Sequence, residues 1–384
     1  MNHQLGQAAT GPGHHTQEIG IFTMMKSTNT KLTPAPVLAT ARIFAKKYGW
    51  AVPVLLVLAL LAAMLASLCV GAYPISMLHA ARILLHLAWP FDAASNAQFN
   101  LKEVTALKLI RPPRVLLAAL AGLSLGMAGT ALQGMMRNPL VGPDIIGVTS
   151  GAAFGGVVGI TLELSPLWII VLAFCGGLLA MTCTFSIAKM TRVRMDSIVL
   201  ILAGIFVGAF FLALVGLVEF YGNIFKITPW LIGSFVGADW TKVATIAVPT
   251  LLGGAVLMAL RWRINLLSLS ELDAKSLGIN VGILRWTIIV LVSLMVASQV
   301  AVSGIVAWVG LVVPHCARML VGPDHRRLLP TAGLLGALFV LGLDDLTRSI
   351  VHGGLPVGTL SAVVGTPAVC ILLWQSRGKG WGRA

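Results

Sequence analysis

The sequence predicts an all-α membrane protein with ten transmembrane helices, and three observations predict it. The first is scarcity of charge. The 27 Lys+Arg and 13 Asp+Glu make up 10% of 384 residues, while 57% are hydrophobic. A soluble domain carries about 25% charged residues. It could not hide this much apolar surface and still cover itself with polar groups, so lipid is the solvent for much of the chain. A water-soluble enzyme, a disordered protein and a disulfide scaffold are excluded on this ground.

The second observation is the spacing of the charges. Stretches free of Asp, Glu, Lys and Arg fall at 51–72, 115–135, 145–161, 166–188, 197–218, 243–260, 286–317, 328–343 and 355–374. A crossing helix needs about 20 apolar residues for about 30 Å of hydrocarbon. As a single helix, residues 286–317 would be about 48 Å long. That stretch therefore divides into two helices near Ser303-Gly304, since glycine breaks helices readily. The count is then ten.

The third is the asymmetry of the basic residues. Ten spans put both termini on one side, taken as cytoplasmic. Eight basic residues then face outward: Arg82, Lys102, Lys108, Arg111, Arg114, Lys226, Lys242 and Arg348. The other 19 of the 27 lie inside, the sign that positive-inside topology requires. The net charge of +14 is thus read as a topology signal, not as a nucleic-acid surface.

Residues 1–48 are polar and without period, and read as a disordered cytoplasmic segment. Residues 49–376 form the membrane domain, with a cytoplasmic loop at 261–285, and 377–384 form a basic tail. The five cysteines lie in apolar stretches without CxxC spacing, so neither a disulfide framework nor a metal site is expected. Glycines recur at four-residue spacing, as in Gly122/Gly126 and Gly151/Gly155, which suits close helix packing in lipid. Pro229, Pro314, Pro356 and Pro367 interrupt or flank spans, and broken helices at membrane depth belong beside a cavity.

No span holds an Asp, Glu, Lys or Arg, which disfavours an ion-coupled secondary transporter. A catalytic constellation and a GxxxxGK[ST] phosphate loop are both missing from the sequence, so no cofactor or ATPase site of its own is expected. The loop 261–285 carries a helix start at Ser270-Glu271 and a stop at Gly278, which predicts a short helix on the cytoplasmic face. The pentapeptide LVGPD stands at 140–144 and again at 320–324, and both copies are read as cytoplasmic turns before an outgoing helix.

Several strings match one family in order: RPPR at 111–114, QGMMRNPL at 133–140, PDIIGVTSG at 143–151, WLIGSFVGADW at 230–240, ELDAKSLG at 271–278, GIVAWVGLVVPHCARMLVGPDHRR at 304–327 and PVGTLSAVVGTP at 356–367. On these the chain resembles the FecCD-type permease subunits of type II ABC importers, over roughly residues 50–375. The resemblance implies the ten-helix type II importer permease fold in a bacterial inner membrane, working as a homodimer or pseudo-homodimer. It implies two cytoplasmic ATP-binding subunits docked through Glu271, Ala274, Leu277 and Gly278, with Ser270 where the family commonly has Gly. It implies a periplasmic substrate-binding protein docked by Arg111, Arg114 and Arg348, the last held by Asp344 and Asp345. It places the path along the spans at 197–218 and 355–367, and a gate at Asn138, Pro139, Leu140 and Ser197. The cargo it implies is an iron chelate, siderophore or haem, with cobalamin or an oxyanion such as molybdate or tungstate as alternatives.

Overall fold

The computed structural model describes residues 51–71, 75–88, 100–190, 197–267, 274, 276–350 and 355–376. Their secondary structure is helical, with no strand among them. In chain order the helices are α1 (Ala51–Ser67), α2 (Met77–Ala88), α3 (Leu101–Thr105), α4 (Arg111–Met136), α5 (Val148–Thr161), α6 (Pro166–Met190), α7 (Ser197–Tyr221), α8 (Ile224–Leu231), α9 (Trp240–Leu266), α10 (Val281–Ser303), α11 (Val309–Val321), α12 (His325–Ile350) and α13 (Val357–Ser376). Six are long and apolar enough to cross a membrane: α4 with its α3 extension, α6, α7, α9, α10 and α12. The apolar helices α1, α5, α11 and α13 are shorter. Each of these ten falls on one of the charge-free stretches. The segments 1–48 and 377–384, with Ser270 and Glu271, lie outside the described residues.

The predicted division of 286–317 is where the structure has it. Helix α10 ends at Ser303, and Gly304 takes φ +69°, its N–H donating to Val300 O at 2.8 Å. A left-handed turn of this kind costs glycine little and most other residues more. The α3–α4 junction has an equally local cause. Pro112 and Pro113 offer no N–H to the preceding turn, and the helix passes through a π turn at Ala106–Ile110 before α4 begins.

Helix α4 is the centre of the bundle, buried along nearly its whole length. Its glycines do what their spacing predicts. Gly122 lies on the Gly336 backbone of α12, and Gly129 lies on the Gly310 carbonyl of α11. A Cβ at either would overlap backbone, so these helices touch main chain to main chain. Gly151 of α5 meets Gly176 of α6 in the same way.

One expectation is corrected. Helices α5 and α11 have 14 and 13 residues, about 21 and 20 Å, well short of the bilayer core. Gly310, at the start of α11, sits on Gly129, which lies seven residues or about 10 Å before the end of α4. Pro143 packs on Gly310 in turn. The segment after α4 therefore climbs back into the bundle, and LVGPD 140–144 is a re-entrant turn, not a surface one. The copy at 320–324 is a surface turn between α11 and α12, with Asp324 exposed. The reason is the Gly129–Gly310 contact: it seats the start of α11 deep, and the Pro143 turn follows it.

Candidate functional site

Three regions gather polar groups. At one end of the bundle, α4 begins and α12 finishes. Asp344, fully buried, accepts from Arg114 Nε at 3.0 Å and Nη2 at 2.8 Å, and forms an ion pair without a hydrogen bond to Arg348 Nε at 3.0 Å. Arg348 also pairs with Asp345 and donates to Ser67 Oγ at 2.6 Å and Val70 O at 2.8 Å after α1. Arg111 is 6% exposed, and its Nη1 donates to Leu68 O at 2.6 Å. The three arginines singled out from sequence are thus brought together, and Asp344 and Asp345 hold Arg348. They are also already engaged within the chain. A buried carboxylate between two guanidiniums is strongly destabilising to break, because removing it strands two charges.

At the opposite end, α4 stops at Arg137, which adopts φ +53°, and Arg137 Nε donates to Leu267 O at 2.6 Å. Asn138 accepts from the Leu140 N–H at 2.9 Å through its side chain, so Asn138, Pro139 and Leu140, the residues expected at a gate, form one half-buried turn. Ser197 opens α7. Of the predicted coupling helix, Glu271 lies outside the described residues, Ala274 is buried, Leu277 is 57% exposed and Gly278 takes φ +77°.

Sequence reasoning gave no role to the groups that lock this end. Arg318 donates to Gln133 Oε1 at 3.0 Å. Asn265 Nδ2 donates to Asp324 Oδ1 at 2.6 Å, and Asn265 Oδ1 accepts the His325 N–H at 2.8 Å. For Gln133 the available signal was a polar residue at the last turn of an otherwise apolar span, whereas Asn265 stands in the basic stretch read as a cytoplasmic loop. Burial works to raise the Asp324 pKa. The Arg326 N–H, the Asn265 amide and the charges of Arg326 and Arg327 together hold it below the ordinary value.

Between the two ends lies a cavity of about 440 Å³, walled by α7 (Gly204, Gly208), α11 (Trp308, Leu311) and the re-entrant turn (Asp144), with Ser150 from α5. Asp144 is the single titratable side chain among its lining residues. Its Oδ1 accepts from the Thr149 hydroxyl at 2.8 Å, and its Oδ2 accepts from the Trp308 N–H at 3.3 Å. The opening is thus walled chiefly by α7, the turn before α5 and the start of α11, with Asp144 as the ionisable group in its lining.

The sequence matches the FecCD transport family over residues 58–375. The chain belongs to that family. It is 38% identical over 320 residues to the molybdate import system permease protein MolB of Haemophilus influenzae, covering 82% of this chain and 92% of the relative. It is 39% identical over 285 residues to a probable iron chelatin transport system permease protein of Helicobacter pylori, covering 72% and 86%. It is 36% identical over 279 residues to the hemin transport system permease protein HmuU of Yersinia pestis, covering 70% and 83%. Among solved structures it is similar to an inward-facing conformation of a putative metal-chelate type ABC transporter, with TM-score 0.73 and 35% identity, covering 85% of this chain and 99% of the other. This FecCD-family chain is accordingly a multi-pass membrane protein whose relatives are permease subunits of ABC importers.

Proposed function

We propose that the chain is the membrane-spanning subunit of an ATP-driven importer in a bacterial inner membrane, and that it translocates an iron chelate, siderophore or haem. The observation that carries this reading is the family match across 58–375, on a bundle of long apolar helices. Two cytoplasmic ATP-binding subunits supply the energy, and the chain hydrolyses no ATP. They dock on the segment holding Glu271, Ala274, Leu277 and Gly278. A second copy of the chain completes the path, and the turn at Asn138, Pro139 and Leu140, with Ser197, closes it on the cytoplasmic side where both termini lie. A periplasmic binding protein delivers cargo to the end bearing Arg111, Arg114 and Arg348. Its carboxylates would compete with Asp344 and Asp345 for the same guanidiniums, whose planar forks suit two-pronged pairing.

A second cargo, an oxyanion such as molybdate, is favoured by one observation: the molybdate-import relative matches 82% of this chain. The decisive experiment reconstitutes the chain in liposomes with and without the cognate ATP-binding subunits and binding protein, using as cargo the ligand that mass spectrometry finds on that binding protein. Uptake is expected only with all components and ATP. Uptake by the chain alone would overturn the reading.

A further inference from the structure

The end of α9 is tied to the two helices that reach the arginine cluster. Asn265, in the last turn of α9, uses both ends of its amide. Its Nδ2 donates to Asp324 Oδ1 at 2.6 Å, and its Oδ1 accepts the His325 N–H at 2.8 Å and lies 2.8 Å from His325 Nδ1. His325 opens α12 and is 7% exposed, and its ring rests on Gly134 of α4, where a Cβ would overlap it. Arg137, at the end of α4, adds a second tie through Leu267 O at 2.6 Å.

The helices joined here differ in stiffness. α4 and α12 meet main chain on main chain, and a Cβ at Gly122, Gly126 or Gly336 would overlap backbone. Contacts of that kind cannot deform gradually. The faces of α9 are softer: Gly253 packs on the Met295 side chain and Gly254 on the Met127 thioether, and methionine adapts its shape. Asp344 stands 19 residues beyond His325 on α12, about 28 Å along the axis, and Arg114 of α4 holds it there. In the other direction α9 leads to the segment holding Ala274, Leu277 and Gly278.

We propose that Asn265 is a positioning residue for transport. Its clasp on Asp324 and His325 passes movement of the ATPase-docking segment to the stiff α4–α12 pair, and so to the arginines at the far end. This rests on the importer reading. Without the clasp, α9 shifts on its methionine contacts while α12 stays in place, and the two ends of the bundle lose touch.

The test places the chain in lipid nanodiscs with its cognate ATP-binding subunits and reads ATP hydrolysis with and without the cognate binding protein. The ratio of the two rates measures communication between the ends. Asn265→Ala removes the clasp. Asn265→Asp sets two carboxylates against each other. When Asn265→Asp is combined with Asp324→Asn, donor and acceptor change places, and the new carboxylate still accepts the His325 N–H. A fall in the ratio of about fivefold is expected for both single variants, with recovery toward the wild type in the double variant. A purely structural role would lower the melting temperature of the single variants and leave the ratio of the assembled complexes unchanged, and that result overturns the proposal. A double variant that stays as low as Asn265→Asp overturns it as well. Hydrogen–deuterium exchange on the chain alone reads the clasp without partners. Asn265→Ala should speed exchange from His325 to Leu328, and unchanged exchange there also overturns the proposal. A wild-type complex that ignores the binding protein would count instead against the importer reading, and the exchange result would still decide the clasp.

Discussion

The two copies of LVGPD share five residues and end up in different surroundings. In both, the aspartate accepts hydrogen bonds at the start of a helix and ties that start to another element. Asp324 caps α12 through the Arg326 N–H at 3.0 Å and holds the end of α9 through Asn265. Asp144 joins the first turn of α5 to the start of α11. Asp324 is exposed, and Asp144 is half-buried beside a cavity, next to the Pro143 that packs on Gly310. The difference teaches that a turn motif fixes the local hydrogen bonding and leaves the depth open. Depth is set by what the following helix packs against, here Gly129 under Gly310.

The most damaging way to break this contrast is Gly129→Leu, which would push α11 off α4 and remove the deep seat. A loss of about 3 kcal/mol is expected, read as a lower midpoint in detergent-micelle unfolding. An unchanged midpoint would mean that α11 does not depend on this contact. Asp144→Ala comes next. It leaves the Trp308 N–H and the Thr149 hydroxyl without their acceptor, and about 2 kcal/mol should be lost. Asp324→Ala is the mildest, at about 1 kcal/mol, because it deletes an exposed helix cap whose partners can turn to water. Equal losses for Asp144→Ala and Asp324→Ala would erase the distinction in depth.

The pH dependence of the Asp324 effect sharpens the same point. Its native pKa is held below the ordinary aspartate value, so the unfolded chain binds the proton more readily. The stability it contributes is therefore present above about pH 4 and is lost as pH falls through the lower native value. The gap between wild type and Asp324→Asn should narrow over that acid window, and a gap independent of pH would contradict the assignment.

The candidate site was legible in part. Arg111, Arg114 and Arg348 could be chosen because they match by position the arginines that the family resemblance implies for docking. Their mutual contact could not be read, since Arg114 meets Asp344 across 230 residues of chain. Gln133 was visible as a polar residue at a span end and Asn265 stood in the loop 261–285, but their partners Arg318 and Asp324 come from distant parts of the chain. Asp144 stood inside a quoted motif and was misplaced in depth, because Arg137 just before it marks a surface and nothing in the next residues says that the chain turns back.

The sequence by itself determined where helices run and where they stop. Charge-free length, the Ser303-Gly304 break, the paired prolines in the first turn of α4 and the small-residue stripes are all local, and solvent or backbone geometry acts on them directly. Tertiary structure alone decided which ends meet, how deep each turn lies and which carboxylate faces a cavity. Those outcomes depend on main-chain contacts between helices far apart in sequence, where a single missing Cβ sets the approach.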